Sequence, residues 1–188
     1  MEGLVKESIT YLISLLMFLS CSSLKFDKPY VDVKEFGAKG DGITDDTYSI
    51  QKAFDFASNN KLKLIISKGD YMVNAVTRLN IRSNSVIEWE GSATFRCIPN
   101  DKLAYRVLNI QGTRAKYVSN VTLINPVIVG DRKKHRGTTG EHGHGLVLSA
   151  VRNCKIINPK IIDCWGDGLA IYGAENIEIE NLYADNNR

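Results

Sequence analysis

The sequence predicts an all-β solenoid, in which successive coils of short strands stack along one axis. Two observations predict this fold. The C-terminal half repeats with a period of 23 residues, and each repeat consists of short Val-, Ile- and Leu-rich strands separated by Asn, Gly and Asp. The 188 residues carry 24 Lys and Arg against 21 Asp and Glu. This near balance argues against a partner as strongly charged as a nucleic acid.

An apolar segment at residues 9–19 precedes the solenoid. Its 11 residues are too few to span a bilayer, and small residues follow at 20–23. Such a segment ahead of a small residue is typical of an export signal, and a Cys at the cleavage position resembles the bacterial lipoprotein signal. We expect a signal peptide at 1–20, lipidation of Cys21, and a bacterial outer-membrane lipoprotein or periplasmic or cell-surface protein. The lipid anchor is then the protein's contact with the membrane. The alternative interpretation of residues 9–19 is a buried N-terminal helix.

Residues 21–61 are expected to form a linker, a short first strand and a capping α-helix. The helix is predicted from apolar residues with the spacing i, i+3, i+4, i+7, namely Ile50, Ala53, Phe54 and Ala57. A glycine-rich turn precedes it. The turn lacks the spacing of a phosphate-binding or EF-hand loop, so we assign it a structural role.

The string VKEFGAKGDGITDDTYSIQKAF, followed by LIISKGDYMV, resembles the start of pectate-lyase-like right-handed parallel β-helix proteins, in particular the rhamnogalacturonase/epimerase-like group. The resemblance implies that the FGAKGDG turn and the helix form an N-terminal cap over the first coil. It also implies that residues 62–188 form coils of a right-handed parallel β-helix. These motifs identify a fold and carry no catalytic residue.

The repeat indicates which residues are neighbours in successive coils. The tetrapeptide at 145–148 recurs at 168–171, while Asn153 and Asn158 recur as Asn176 and Asn181. Leucine-rich repeats are the competing solenoid, but their LxxLxLxxN spacing is not found, and the paired asparagines suit amide ladders. We count about five coils from residue 62. Because nothing near residue 188 resembles a cap, we expect the natural domain to continue. The chain would then be a fragment, a truncated reading frame or one part of an assembly, such as a homo-oligomer.

Three cysteines follow Cys21 in the sequence. They have neither CxxC nor Cys/His metal spacing, and each lies among apolar or small neighbours. We therefore predict buried free thiols at Cys97, Cys154 and Cys164.

The 23-residue offset also places His144 beside Asp167, at the turn before equivalent strands. Histidine titrates near neutrality and can share a proton with a carboxylate, so this pair predicts general acid or base chemistry. Asp163 is a further predicted catalytic residue. Glycoside hydrolysis needs two carboxyl groups, about 5 Å apart for retention or about 6.5 to 9.5 Å for inversion. Candidates for such a pair are Glu141, Asp163, Asp167 and Asp185.

The surrounding residues are predicted to contact a sugar chain. An indole offers an apolar face to a pyranose ring, and a basic loop suits an acidic polysaccharide. The predicted substrate-binding residues are Trp165, His142, Glu141, Arg132, Lys133 and Lys134. The alternatives are a structural turn at 165–168 and a solvated loop at 131–136. No metal site is predicted, because the two histidines of the HxH sequence lack a further well-spaced ligand.

The segment WGDGLAI at 165–171 resembles the GDDCIAI segment of polygalacturonases, with Asp167 on the first aspartate and Gly168 in place of the second. The GHG sequence at 143–145 has the letters of that family's histidine motif but comes one coil before the aspartate. The NTD and RIK motifs are not found, so only Asp167 carries over.

The expected function is that of an exported glycoside hydrolase without a cofactor, acting on pectin-like polysaccharides that contain uronic acids. The first alternative is a non-catalytic, glycan-binding or tailspike-like scaffold. The second is a polysaccharide lyase, and calcium is expected only in that case.

Overall fold

The computed structural model describes residues 28–188, so the expected signal peptide and Cys21 lie outside the described residues. A short 3-10 helix spans Val33–Phe36 and helix α1 spans Thr47–Asn60. The strands are β1 Tyr30–Asp32, β2 Asp41–Asp45, β3 Lys63–Ile66, β4 Asp70–Val73, β5 Leu79–Ile81, β6 Ser85–Trp89, β7 Thr94–Cys97, β8 Ala104–Gln111, β9 Val118–Ile124, β10 Val127–Val129, β11 His142–Ile157, β12 Lys160–Ile162, β13 Leu169–Glu180 and β14 Tyr183–Asp185. Within 28–188, no helix has the length and hydrophobicity needed to cross a bilayer.

The strands form three faces of a parallel solenoid, and each strand pairs with its counterpart in the next coil. The first face contains β2, β4, β7, β10, β12 and β14. Strand β11 serves two faces, because residues 142–149 pair with β8 whereas residues 151–157 pair with β9. The second face therefore contains β5, β8 and the first parts of β11 and β13. The third face contains β1, β3, β6, β9 and the second parts of β11 and β13. This architecture confirms the predicted parallel β-solenoid.

Asparagines in the left-handed region connect the coils in two ladders. One lies at the bend between the third and first faces and contains Asn125, Asn158 and Asn181. The other lies within the third face and contains Asn84, Asn120, Asn153 and Asn176. In both ladders, the side-chain amide of one coil donates to the amide oxygen of the preceding coil, at 2.8 to 3.3 Å. Asparagine tolerates positive φ better than most residues, so each position combines a left-handed backbone with a ladder hydrogen bond.

Helix α1 lies against the N-terminal coils, and its predicted apolar face is buried. The Phe54 ring packs 6.4 Å from the Phe95 ring of β7. Gln51 occupies the free edge of β5, because its side chain accepts a hydrogen bond from the Asn80 backbone N–H at 2.8 Å and donates to the Asn80 carbonyl at 3.0 Å. The helix therefore satisfies polar groups that would otherwise be unpaired at this sheet edge.

The glycine-rich turn before α1 is held by a buried carboxylate. Asp46 accepts hydrogen bonds from the backbone N–H groups of Lys39 at 2.7 Å and Gly40 at 2.9 Å. A Cβ atom at Gly40 would lie 2.9 Å from the Tyr71 ring. These contacts agree with a structural role for the turn.

The three described cysteines are buried and free, as predicted. Burial raises the pKa of Cys154 and Cys164 to about 12, so both thiols are protonated at neutral pH. They pack as small apolar side chains.

Candidate active site on the second face

The second face brings His144 and Asp167 together. The backbone N–H groups of Gly145 and Leu146 donate to the carbonyls of Asp167 at 3.0 Å and Gly168 at 2.9 Å, which fixes the turn before β13 against β11. The Asp167 N–H donates to His144 Nδ1 at 3.1 Å, and Asp167 Oδ2 lies 3.3 Å from the same nitrogen. The structure thus contains the juxtaposition predicted from the 23-residue offset.

The environments of the two side chains differ. The imidazole of His144 is 6% exposed and the carboxylate of Asp167 is 56% exposed. Burial lowers the pKa of His144, and the nearby carboxylate of Asp167 opposes this effect only in part. The neutral ring, which accepts the Asp167 N–H at Nδ1, carries its proton on Nε2. When the ring is protonated, Nδ1–H donates to Oδ2 instead, so the pair can hold and release one proton.

A cation extends the pair into a column of three side chains. The parallel register of β8 and β11 places Arg106 opposite His144, on the same side of the sheet. Arg106, His144 and Asp167 therefore lie in three consecutive coils, with a spacing of about 4.8 Å per coil. The half-buried Arg106 donates from Nη1 to Gln111 Oε1 at 3.0 Å. We call these three side chains the catalytic column, after the role that is proposed for them below.

His142 and Glu141 lie beside the catalytic column. The exposed ring of His142 is 5.9 Å from the ring of His144, with an angle of 61° between the ring planes. The Glu141 carboxylate pairs with the Arg188 guanidinium at 3.2 Å. A Cβ atom at Gly166 would lie 2.3 Å from the Glu141 carbonyl oxygen, so the glycine permits close approach of the two backbones.

Asp163 makes different contacts. Its backbone is left-handed, with a φ of 56°, and its Oδ1 accepts a hydrogen bond from Asn186 and lies 3.3 Å from Lys133 Nζ. Burial raises the pKa of Asp163, but the bonds from Asn186 and Lys133 outweigh it and leave the pKa below its ordinary value. Among the described residues, Asp163 shares no hydrogen-bond partner with Asp167. It is held as a bend residue, and its catalytic role stays a prediction.

Trp165 lies in a stack of planar side chains rather than on an open surface. The His135 ring lies 4.5 Å from its indole at 23°, and the Arg188 guanidinium lies 4.6 Å from the indole on a cation–π contact. The other neighbour of His135 is the Tyr105 ring, at 5.5 Å and 20°. A stacked sugar would therefore have to compete with His135 or Arg188 for the indole faces.

The stack rests on a buried carboxylate that sequence reasoning did not identify. Asp131 accepts hydrogen bonds from Tyr105 Oη at 2.5 Å, from the Asn100 backbone N–H at 3.1 Å and from Asn100 Nδ2 at 3.2 Å. Its Oδ2 also lies 3.1 Å from His135 Nδ1, and neither of these two side chains is exposed. The loop that follows β10 is thus anchored in the core at Asp131 and at His135.

The basic residues of this loop are placed unequally. Arg132 donates from Nη1 to the carbonyls of Asn186 at 2.9 Å and Asn187 at 2.6 Å. Lys133 and Lys134 are both exposed, and Lys133 pairs with Asp163. Within residues 28–188, no three His, Cys, Asp or Glu side chains are arranged to hold a metal ion.

Three faces of parallel strands, stacked asparagines and an N-terminal helix resemble the parallel β-helix fold of pectate-lyase-like proteins. Comparison with known proteins agrees. Residues 30–94 match the family described as rhamnogalacturonase A/epimerase, pectate lyase-like. The recognised resemblance and the predicted fold class are therefore confirmed.

A curated relative is the SPbeta prophage-derived uncharacterized protein YorA of Bacillus subtilis strain 168, with 27% identity over 163 residues. The match covers 76% of this chain and 27% of YorA, so the chain spans about a quarter of that relative. A structure from Parabacteroides merdae, described as a proposed glycosyl hydrolase, has a TM-score of 0.69 at 18% identity and covers 83% of this chain and 74% of its own. The surface adhesin PfbA of Streptococcus pneumoniae has a TM-score of 0.70 at 20% identity, with coverages of 82% and 38%.

Proposed function

We propose that the protein is an exported enzyme that acts on polysaccharides containing uronic acids, with the catalytic column as its reaction centre. The observation that carries the proposal is the succession of a guanidinium, a buried imidazole and an accessible carboxylate on one side of a parallel sheet. A guanidinium recognises carboxylates by charge and by paired hydrogen bonds, and the imidazole–carboxylate pair transfers protons. The family match at residues 30–94 supports a polysaccharide substrate.

Hydrolysis of the glycosidic bond is the proposed reaction. Asp167 acts as the general acid or base, because its carboxylate is accessible and exchanges a proton with His144. The neutral ring of His144 directs its Nε2 proton away from Asp167, toward a substrate oxygen. Glu141 is the second carboxylate, since its backbone packs against Gly166, immediately before Asp167. Its ion pair with Arg188 must open for this role. The likeness to the proposed glycosyl hydrolase of P. merdae supports this choice.

A non-catalytic glycan-binding scaffold is the second candidate. It is favoured by the ion pairs of Glu141 with Arg188 and of Asp163 with Lys133, which occupy two of the carboxylates that hydrolysis would use beside Asp167. The resemblance to the adhesin PfbA supports this candidate. Both candidates use the same surface and differ in whether a bond is broken.

The test is incubation of the protein with polygalacturonan and rhamnogalacturonan, with and without calcium. Reducing ends and the ultraviolet absorbance of unsaturated products are followed together. Reducing ends without absorbance indicate hydrolysis, absorbance indicates a lyase, and binding without either product indicates a scaffold. If hydrolysis is found, Asp167→Asn is expected to lower its rate by about 10²- to 10⁴-fold. The control is Glu90→Gln, at an exposed carboxylate between β6 and β7. Undiminished hydrolysis by Asp167→Asn would remove this residue from the mechanism.

A further inference from the structure

We propose that a groove at the bend between the second and third faces binds the part of the polysaccharide chain that extends beyond the catalytic column. This inference rests on the proposed function. The groove is open, has a volume of about 990 Å³ and lies between the end of α1 and the turn at 112–117. Its lining includes Asn59, Asn80, Arg82, Gln111, Lys116 and Tyr117.

The size and chemistry of the groove suit an oligosaccharide. Its volume lies at the upper end of the range of about 300 to 1,000 Å³ that ligand sites occupy. Amides and hydroxyls dominate its lining, and these groups match the many donors and acceptors of a sugar. The charge of Asp55 is neutralised by Arg82, whose Nε lies 2.9 Å from the carboxylate. Lys116 has no ion pair within the described part of the chain, so the lining keeps one positive charge for an acidic sugar.

The walls of the groove are already formed. The Ser58 hydroxyl of α1 donates to the Ser83 carbonyl at 2.9 Å, which fixes the helix against the coil. Thr113 and Lys116 exchange two backbone hydrogen bonds, at 2.8 and 3.0 Å, which close the opposite turn. The Tyr117 ring is held by the Arg152 guanidinium at 3.9 Å. Little conformational entropy of the protein is therefore lost when a ligand binds.

One side chain connects the groove with the catalytic column. Gln111 lines the groove and accepts a hydrogen bond from Arg106, which lies opposite His144 in the register of β8 and β11. A polysaccharide bound over Arg106 can thus continue past Gln111 toward Lys116 and Tyr117. A chain that occupies both positions binds more tightly than a short one, because the second contact is intramolecular.

The test measures affinity as a function of chain length in the Asp167→Asn background, where turnover is suppressed. Calorimetric titration uses a galacturonate trimer and an oligomer of about ten residues at low salt. Lys116→Ala is expected to weaken binding of the long oligomer by about fivefold to tenfold, the effect of one solvent-exposed hydrogen bond, and to leave the trimer unaffected. Lys116→Arg keeps the charge and is expected to retain the affinity. Lys39→Ala, at an exposed lysine outside the groove, is the control.

The outcomes separate this inference from the proposed function. If the trimer and the long oligomer bind with the same affinity, or if Lys116→Ala weakens the binding of both equally, the groove proposal is overturned. The proposed role of the catalytic column is not affected by that result. If the long oligomer binds and depends on Lys116, but the original chain forms no product from it, the groove is supported and the enzymatic proposal fails. If neither ligand binds, both proposals fail.

Discussion

The asparagine ladder of the third face allows two contributions to stability to be separated. Asn153 has a φ of 53°, its Nδ2 donates to Asn120 Oδ1 at 3.3 Å, and its Oδ1 accepts from Asn176 Nδ2 at 3.1 Å. Asn153→Ala removes both hydrogen bonds and leaves a residue with low tolerance for the left-handed region. Asn153→Gly removes the same bonds, but glycine adopts this backbone conformation without steric strain.

The magnitudes follow from these contacts. Two exposed hydrogen bonds contribute about 1 to 2 kcal/mol together, and left-handed backbone costs alanine about 1 to 2 kcal/mol. Asn153→Ala should therefore lower the free energy of unfolding by about 2 to 4 kcal/mol. For Asn153→Gly, the strain is replaced by a backbone entropy cost of about 0.5 to 1 kcal/mol, so the loss should be smaller by roughly 0.5 to 1 kcal/mol.

Urea denaturation followed by circular dichroism measures both variants, provided that the slopes of the transitions agree. Asn84→Ala is the matched comparison, because Asn84 occupies the first position of the same ladder and makes one amide contact in it, with Asn120. It should cost less than Asn153→Ala. A glycine variant as unstable as the alanine variant would refute the strain argument, and two variants of unchanged stability would refute the ladder's contribution altogether.

Three further predictions concern titration, backbone strain and the buried carboxylate. Burial holds the pKa of His144 below its ordinary value of about 6.5, so stability should be complete above that pH and decline as the pH falls toward the lowered pKa. His144→Gln should remove this part of the decline between pH 7.5 and 5.5 in urea titrations, and an unaltered pH dependence would contradict the assignment. Ala150, with a φ of 51°, precedes Gly173 by one coil, so Ala150→Gly should raise the free energy of unfolding by about 0.5 to 1 kcal/mol, whereas a lower urea midpoint would count against strain. Tyr105→Phe removes a donor from buried Asp131 and should cost about 1 to 3 kcal/mol in the same measurement, and an unmoved midpoint would show that the bond is dispensable.

Sequence reasoning succeeded where neighbouring coils have equal length. A 23-residue offset relates His144 to Asp167, and the same offset relates Asn153 to Asn176, so the contacts of both pairs could be predicted. The position of Arg106 beside His144 was not predicted, because the loop between β10 and β11 lengthens this coil and the 23-residue offset does not apply to it. An alignment of the two strand sequences around Leu108 and Leu146 would have placed Arg106 opposite His144, because the structure pairs these strands in that register.

Composition was a poor guide to the loop after β10. A run of charged residues predicts a solvated loop, and Lys134 fits this prediction. Asp131 and His135 are buried instead, because Tyr105 and Asn100 supply the hydrogen bonds that the carboxylate requires. These partners lie more than 25 positions away in the sequence, and no periodic pattern relates them to the loop. Trp165 is similar, since its stacking partners His135 and Arg188 follow from the packing of three coils rather than from its own motif.

The stack of Tyr105, His135, Trp165 and Arg188 has a spectroscopic consequence. The indole of Trp165 lies between an imidazole and a guanidinium from different coils, so its fluorescence depends on both neighbours remaining in place. Trp89, the other indole, is buried against Phe95 in an earlier coil. If the C-terminal coils separate first, the emission of Trp165 changes while that of Trp89 stays constant. The two indoles thus act as separate built-in reporters, one for fraying at the C-terminal coils and one for melting of the core beneath α1.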